Sequence, residues 1–372
     1  MKNLMEAIDE SLSNLGYAPI SDIVNNKKKC INYINRILKS VDNKVTIPFG
    51  LALNKYDFRV KHILFSFGLG VLIARFCNLD KKIEEEYKKY KVNAPFAYIW
   101  LTLCIYHDYG YFSGISYIKS DDLDRIAMDY SIFDFDFCVS RYSRKLYRAY
   151  YMRKYTMQNW ESVDYDLSAH EEIGDHGIIG GYLLFQQLYV SEQKKAPPSK
   201  HNSLLWEIYQ RDEAETSLNY HPERIPLYQD ICYRIMEHNI WKDYCDESDF
   251  EEICGDNFKK IGISEPLLYL LSLVDTIEMT KKFCRYTDEG SEKEHFVYPK
   301  TLGRKVSMRI LPNEIEIDYQ GLREYICENR YNDDISLWED SVRGLEEWVT
   351  IQTGQVDGRK DVIVLKYNNP AH

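Results

Sequence analysis

Long apolar segments of helical length dominate the middle of the chain. They lie at residues 60–77, 95–108, 176–190, 226–241 and 264–285, and each exceeds the usual length of a strand. Pro95 and Pro266 stand where the first turn of a helix tolerates proline, and Ser264 is a candidate N-cap before Pro266. Residues 1–40 have the pattern of amphipathic helices. These patterns predict a mainly α protein.

The pattern changes after residue 296. The segments KVSMRI and EIEIDY alternate between apolar and polar residues as strands do, and DVIVLKY follows the turn signal Asp357-Gly358. Helical patterns near 321–329 and 335–348 lie between these strands. We therefore expect three regions. They are an N-terminal helical extension at 1–57, an all-helical body at 58–290, and a small C-terminal α+β module at 296–372.

Two polar insertions interrupt the predicted helical body, at residues 113–169 and 191–225. The first is rich in Tyr, Asp and Arg. The formal net charge of −11 over 372 residues disfavours non-specific binding to duplex nucleic acid or to an anionic membrane. The nine cysteines include no Cys-x-x-Cys pair, which favours reduced thiols over a disulfide framework. With no signal-peptide pattern at the N-terminus, we expect a cytoplasmic protein that does not enter membranes.

Histidines and aspartates recur on the apolar segments. His62 opens the first, His107 and Asp108 close the second, and His176 begins the third. His238 lies near the end of the fourth, and Asp275 lies inside LLYLLSLVDTIEM. An ionised carboxylate on an apolar helix face is costly unless it is paired or bound to a metal. A buried salt bridge would also explain Asp275, and each histidine alone would more often be a core residue than a ligand.

The joint occurrence of these residues carries more weight than any one of them. Imidazole and carboxylate ligands without a thiolate suit Mn, Fe, Co, Ni, Zn or Mg. The order of the set resembles the HD-domain superfamily of metal-dependent phosphohydrolases over residues 58–285. His176 and Gly180 match the H-x-x-x-G pattern of that family. A competing H-x-x-x-G at His170 leaves the third histidine open, and we favour His176 because an uninterrupted apolar helix follows it.

The resemblance implies an all-helical HD-domain core that holds two divalent metal ions. His62, His107, Asp108 and Asp275 would bind the first ion. His176 and His238 would bind the second, and Asp108 would bridge both. A metal-bridged hydroxide would then hydrolyse a phosphoester or phosphoanhydride bond of a nucleotide, cyclic nucleotide or oligonucleotide. Asp108 is the principal catalytic candidate, with His170 a candidate acid for the leaving group.

Two other functions stay open at this point. Some proteins of the HD type hold two irons in a similar set and activate dioxygen, so the resemblance also allows a di-iron oxygenase. A nucleotide-binding regulatory module without catalysis is the other alternative. Intact ligand residues count against it, because a binding module does not need all six.

A basic segment rich in tyrosine lies inside the first insertion, in RYSRKLYRAYYMRKY at 141–155. Arginine and lysine neutralise phosphates, and tyrosine rings stack on bases. The candidate contacts to a nucleotide or to single-stranded nucleic acid are Arg141, Arg144, Lys145, Arg148, Tyr147 and Tyr151. A solvated basic helix paired with the acidic stretch at 161–175 would explain the same composition.

The C-terminal module contains no recognised catalytic set. We expect it to serve oligomerisation, partner binding or coverage of the active site. A structural cap is an equal alternative.

Overall fold

The computed structural model describes five long stretches of the chain and a number of shorter ones. The long stretches are 2–40, 57–88, 94–108, 266–279 and 299–311. The shorter ones are 118–119, 172–173, 285–287, 294–296, 314–328, 332–343, 349–352 and 361–366, with single residues or short runs within 176–184 and 227–238 and at 283 and 345.

Helices account for most of the described residues. They are α1 (Leu4–Asn14), α2 (Lys27–Ser40), α3 (Asp57–Phe76), α4 (Leu79–Tyr87), α5 (Phe96–Tyr106), α6 (Pro266–Ile277), α7 (Pro299–Lys305), α8 (Gln320–Glu328) and α9 (Asn332–Arg343). The strands are β1 (Lys2–Asn3), β2 (Ile118–Lys119), β3 (Glu172–Ile173), β4 (Arg285–Thr287), β5 (Glu294–Phe296), β6 (Ser307–Leu311), β7 (Glu314–Asp318), β8 (Val349–Gln352) and β9 (Val362–Lys366). The predicted mainly α class is therefore confirmed.

The long apolar segments form helices at 57–76, 96–106 and 266–277, but two differences from the sequence prediction stand out. Helix α6 ends at Ile277, and strand β4 begins at Arg285, so the predicted helix over 264–285 is too long. Helix α4 was not predicted because it is short and its mean hydropathy is low. Its buried residues Leu79, Ile83 and Tyr87 recur every four positions, which is an amphipathic signal.

Helix α3 is the centre of the helical body. It packs against α1, α2, α4, α5 and α6. Gly70 allows α5 to approach closely, because a Cβ atom at this position would overlap the Trp100 ring. The Trp100 indole N–H donates to the carbonyl of Phe67, 3.0 Å away, which fixes the ring against α3. The glycines of FGLGVL are thus packing residues.

The largest sheet joins the two ends of the chain. It is antiparallel with the order β1-β6-β7-β9-β8. The strands β6, β7 and β9 were predicted, whereas β8 and the short β1 were not. Lys2 pairs with Met308, and the Leu4 N–H donates to the carbonyl of Val306 at 2.9 Å. Residues of the N-terminal extension therefore complete the sheet of the C-terminal module.

A short strand pair interrupts the body that was predicted to be all-helical. Strands β2 and β3 are antiparallel, with Ile118 opposite Ile173. Strand β2 lies near the start of the first insertion and β3 lies just after its end, so these two parts of the chain are side by side. Strand β3 ends three residues before His176. Three residues of fully extended chain span at most about 11 Å. The start and the end of the insertion therefore lie close to a candidate ligand.

Within the described stretches, no single helix is long and apolar enough to cross a membrane. The helical segments Val60–Phe76 and Leu79–Tyr87 reach that length and apolar composition only together, and they meet at a bend of 95°.

The shared sheet predicts that the C-terminal module stabilises the whole chain. Shortening the protein to residues 1–295 removes β6 and α7 and uncovers Leu4 and Met5, which are almost fully buried. We expect a less cooperative thermal transition at a lower midpoint, measured by circular dichroism. A chain that ends at Lys366 keeps every described strand and is the control. An unchanged transition for 1–295 would contradict this role.

Candidate metal centre

The six candidate ligands lie together in the helical body, on segments that are remote from one another in sequence except for the adjacent pair His107 and Asp108. His62 is in the second turn of α3, and Asp275 is in the last turn of α6. His107 is the C-cap of α5, with Asp108 directly after it. His176 is helical, and His238 follows the helical residues within 227–235. Five of the six are buried, whereas the side chain of His176 is 15% exposed.

Asp108 occupies the middle of the cluster. Its Oδ2 lies 3.4 Å from Nε2 of His62. Its Oδ1 lies 3.7 Å from Nε2 of His107 and 3.6 Å from Nε2 of His176. The two oxygens of one carboxylate thus face different imidazoles, which is the arrangement that a bridging ligand requires.

The four imidazole rings lie close to one another. The ring centroids of His62 and His107 are 5.5 Å apart, those of His107 and His238 are 5.5 Å apart, and those of His238 and His176 are 5.4 Å apart. Asp275 adds a second carboxylate, whose Oδ1 lies 3.4 Å from Nε2 of His107. The cluster thus combines four imidazoles with two carboxylates, and His176 is its partly exposed member.

The spacing of these atoms suits ligands of a common ion. The separations of 3.4–3.7 Å exceed an ordinary N–H···O hydrogen bond, which is about 2.7–3.2 Å. Two ligand atoms bound at about 2.0–2.2 Å from one ion, with an angle of about 90–110° between them, would be about 2.8–3.6 Å apart. Ligand atoms of His62, His107 and Asp275 all lie within 4.8 Å of one another. These three buried residues could therefore hold a metal ion.

Hydrogen bonds to the Nδ1 atoms orient the three buried imidazoles. Nδ1 of His107 lies 2.9 Å from the carbonyl of Cys104, and Nδ1 of His238 lies 2.6 Å from the carbonyl of Ile235. Nδ1 of His62 lies 2.7 Å from Oε2 of Glu278. Because a carbonyl or carboxylate oxygen can only accept, each Nδ1 carries a proton, and Nε2 is the atom left to bind a metal.

The Nε2 atoms of His62 and His107 are buried and have no hydrogen-bond partner among the described residues. Buried polar atoms are rarely left in this state, because the loss of water is then uncompensated. A metal ion at these atoms would remove the cost. The residues present therefore fit a divalent ion.

The electrostatics of the cluster are dominated by its carboxylates. Burial alone would lower the pKa of His62, but the carboxylates of Glu278 and Asp108 outweigh burial and raise that pKa to about 9. A divalent ion at Nε2 would displace a proton, which is the usual proton release on metal binding. The excess of negative charge favours a cation at this place.

The cysteine nearest to the cluster does not supply a thiolate. Burial, together with the charges of Asp275 and Glu278, raises the pKa of Cys104 well above its usual range. None of the described cysteines, Cys30, Cys77, Cys104 and Cys232, forms a disulfide. A ligand set of nitrogen and oxygen atoms is thus consistent with the sequence interpretation.

Gly177 lets the segments that carry His176 and His238 approach each other. A Cβ atom at position 177 would lie 2.8 Å from Cε1 of His238, 2.9 Å from its Nδ1 and 2.9 Å from the carbonyl oxygen of Ile235. The family pattern H-x-x-x-G includes Gly180, and Gly177 was not predicted to have a structural role. The signal was present, because Gly177 directly follows a candidate ligand.

Glu278 is a second residue that the sequence analysis missed. It is buried and lies one helical turn after Asp275, and its N–H donates to the carbonyl of Val274 at 2.9 Å. The segment DTIE places two carboxylates three positions apart on one helix face, which could have pointed to it. His170 and the candidate substrate contacts Arg141, Arg144, Lys145, Tyr147, Arg148 and Tyr151 lie outside the described residues.

Comparison with known proteins adds no family to this description. No family model matches the chain, and no curated protein or solved structure matches it significantly.

The contact of Gly177 leads to a prediction. Gly177→Ala should displace the His238 ring or separate the two segments, because backbone and ring atoms both obstruct the new methyl group. We expect weaker metal binding and a loss of stability of about 1–3 kcal/mol, the usual cost of overpacking. Isothermal titration with Mn²⁺ and thermal unfolding measure the two effects.

Gly321→Ala is the matched control for this variant. Its Cβ would lie 2.6 Å from the carbonyl oxygen of Lys305 in the C-terminal module. It should lower stability without changing metal affinity. Wild-type metal affinity in Gly177→Ala would show that this close approach does not position the centre.

Proposed function

We propose that this protein is a metal-dependent phosphohydrolase of the HD type, acting on a nucleotide, a cyclic nucleotide or an oligonucleotide. The observation that carries the proposal is the position of Asp108, whose two oxygens face His62 on one side and His107 and His176 on the other. The resemblance implies a bridging role for this residue. The distances from its two oxygens to three imidazoles support that role.

The ligand set divides into two parts in this proposal. His62, His107, Asp108 and Asp275 would hold one divalent ion, and Asp108, His176 and His238 would hold the other. Such ions, when bound, supply an activated water and neutralise charge on a phosphoryl oxygen. The burial of the cluster excludes bulk water and strengthens each charge interaction at the reacting phosphate.

The open side of the cluster indicates where a substrate would enter. His176 is the one ligand with a side chain partly exposed, whereas His62 and Asp108 are 1% exposed. The paired strands β2 and β3 return the first insertion to the chain just before His176. We therefore place substrate entry beside His176, next to the ends of the segment whose arginines and tyrosines were predicted to contact phosphates and bases.

Activity assays with an Asp108 variant test the proposal. Purified protein should hydrolyse at least one member of a panel of nucleotides, cyclic nucleotides and single-stranded oligonucleotides with Mn²⁺, Co²⁺, Ni²⁺ or Mg²⁺. Asp108→Ala should abolish this turnover and leave the protein folded, because it removes the shared ligand. Asp22→Ala, which removes a largely exposed carboxylate paired with Lys300 at 3.3 Å, is the control and should stay active.

The alternatives give different results in the same assays. Full activity in Asp108→Ala or in chelator-treated protein would contradict the proposal. An iron-dependent reaction that requires air, with no hydrolysis of the panel, would identify the oxygenase. Nucleotide binding without any turnover would identify the regulatory module.

The basic insertion leads to a separate prediction. Replacing Arg144 and Arg148 with Ala should raise KM or lower kcat without changing metal content, because charges that contact substrate phosphates are lost. The matched control replaces Arg309 and Arg343, two exposed arginines of the C-terminal module that pair with Glu316 and Asp340. Unaltered kinetics of the Arg144 and Arg148 variant at low salt, where exposed charges act most strongly, would assign the patch to structure.

A further inference from the structure

Among the described residues, Glu278 is a side chain from a remote part of the sequence that contacts an imidazole Nδ1 of the cluster. His107 and His238 each use a carbonyl three residues earlier in their own segment. Both stand at the end of a helix, where the last carbonyls have no partner within the helix. Their orientation therefore follows from the local backbone.

His62 cannot obtain its orientation in this way. It stands in the second turn of α3, and the carbonyls that precede it accept hydrogen bonds from amides of the same helix. A partner for its Nδ1 has to be a side chain. Glu278 supplies it from the end of α6, with 2.7 Å between Nδ1 and Oε2 and with both side chains almost fully buried. Ser66 of α3 is farther, with its Oγ 3.4 Å from the same nitrogen.

We propose that Glu278 is a positioning residue of the metal centre, which holds His62 with its proton on Nδ1 and its Nε2 directed at the ion. This inference rests on the proposed metal centre and adds a residue that the family resemblance did not supply. The two ring nitrogens point in different directions, so Glu278 lies on the side of the His62 ring away from Asp108. It acts through His62.

The position of Glu278 also connects the two helices that carry first-ion ligands. Asp275 and Glu278 are one turn apart at the end of α6. Asp275 faces His107, and Glu278 faces the far side of His62. A displacement of α6 would therefore change one ligand directly and a second ligand through its hydrogen bond. Partners of this kind typically contribute about 10–100-fold to metal affinity.

A double-mutant cycle in the full chain tests the inference. The four proteins are wild type, Glu278→Gln, His62→Ala and the double variant, and the readout is Mn²⁺ affinity measured by isothermal titration. Glu278→Gln should bind Mn²⁺ about tenfold more weakly than wild type, because the amide is nearly isosteric but lacks the charge. In the His62→Ala background the same change should have no further effect, since the residue through which Glu278 acts is gone.

A matched control separates positioning from general stability. Glu339 is a buried carboxylate of the C-terminal module that accepts from the Tyr319 hydroxyl at 2.7 Å and pairs with Arg323. Glu339→Gln should lower the unfolding midpoint and leave Mn²⁺ affinity unchanged. Circular dichroism confirms that each variant is folded, and Glu278→Asp provides a second variant if Glu278→Gln does not fold.

The outcomes are distinct. Equal Mn²⁺ affinity in folded Glu278→Gln and wild type would overturn the inference and leave the proposed metal centre in place. An equal loss in both backgrounds of the cycle would also overturn it, because the effect would not pass through His62. A wild-type protein that binds no divalent ion would instead contradict the proposed function.

Discussion

A carboxylate can remain ionised in an apolar interior only if cations or hydrogen-bond donors surround it. Asp108 imposes this condition on the whole helical body, because it is almost fully buried at the point where the ends of several helices converge. Asp275 and Glu278 repeat the condition a few Å away. Four imidazoles meet it in part, and a divalent ion would meet it fully. The helices that surround these side chains therefore have to supply their partners.

The close packing of the body makes that convergence possible. Gly70 brings α5 against α3, so that His107 at the end of α5 comes near His62. Gly177 does the same for the segments of His176 and His238. Ser272 of α6 donates to the carbonyl of His238 at 3.2 Å and ties a further helix to the cluster. Small residues at the contacts thus set the distances between ligands that are remote in sequence.

The C-terminal module is part of this packing. Helix α9 packs against α6, and the Trp338 ring meets the ring of Phe283 edge-to-face at 5.9 Å. Strand β1 carries the start of the chain into the module's sheet. Both contacts give the module a structural role, whereas oligomerisation, partner binding and coverage of the active site stay predictions. The domain boundaries and the cytoplasmic location are likewise still predictions.

The sequence was informative where an apolar segment was long or where a charged residue stood on an apolar helix face. The apolar segments of α3, α5 and α6 could be predicted because their length exceeds that of a strand, and Asp275 stood out because a carboxylate on an apolar face needs a reason. Helix α4 and strand β1 are short, and tertiary contacts rather than local sequence determine their secondary structure. Glu278 and Gly177 were missed because their roles depend on a neighbour that is remote in sequence. No local pattern specifies such a partner.

Anomalous diffraction from crystals grown with saturating Mn²⁺ tests the central claim most directly. The account predicts an anomalous peak close to Nε2 of both His62 and His107 and to a carboxylate oxygen of Asp275, at about 2.0–2.3 Å from each. A second peak is expected between Asp108 and the pair His176 and His238. An intact cluster without anomalous density at saturating Mn²⁺ would contradict the claim that these residues form a metal centre.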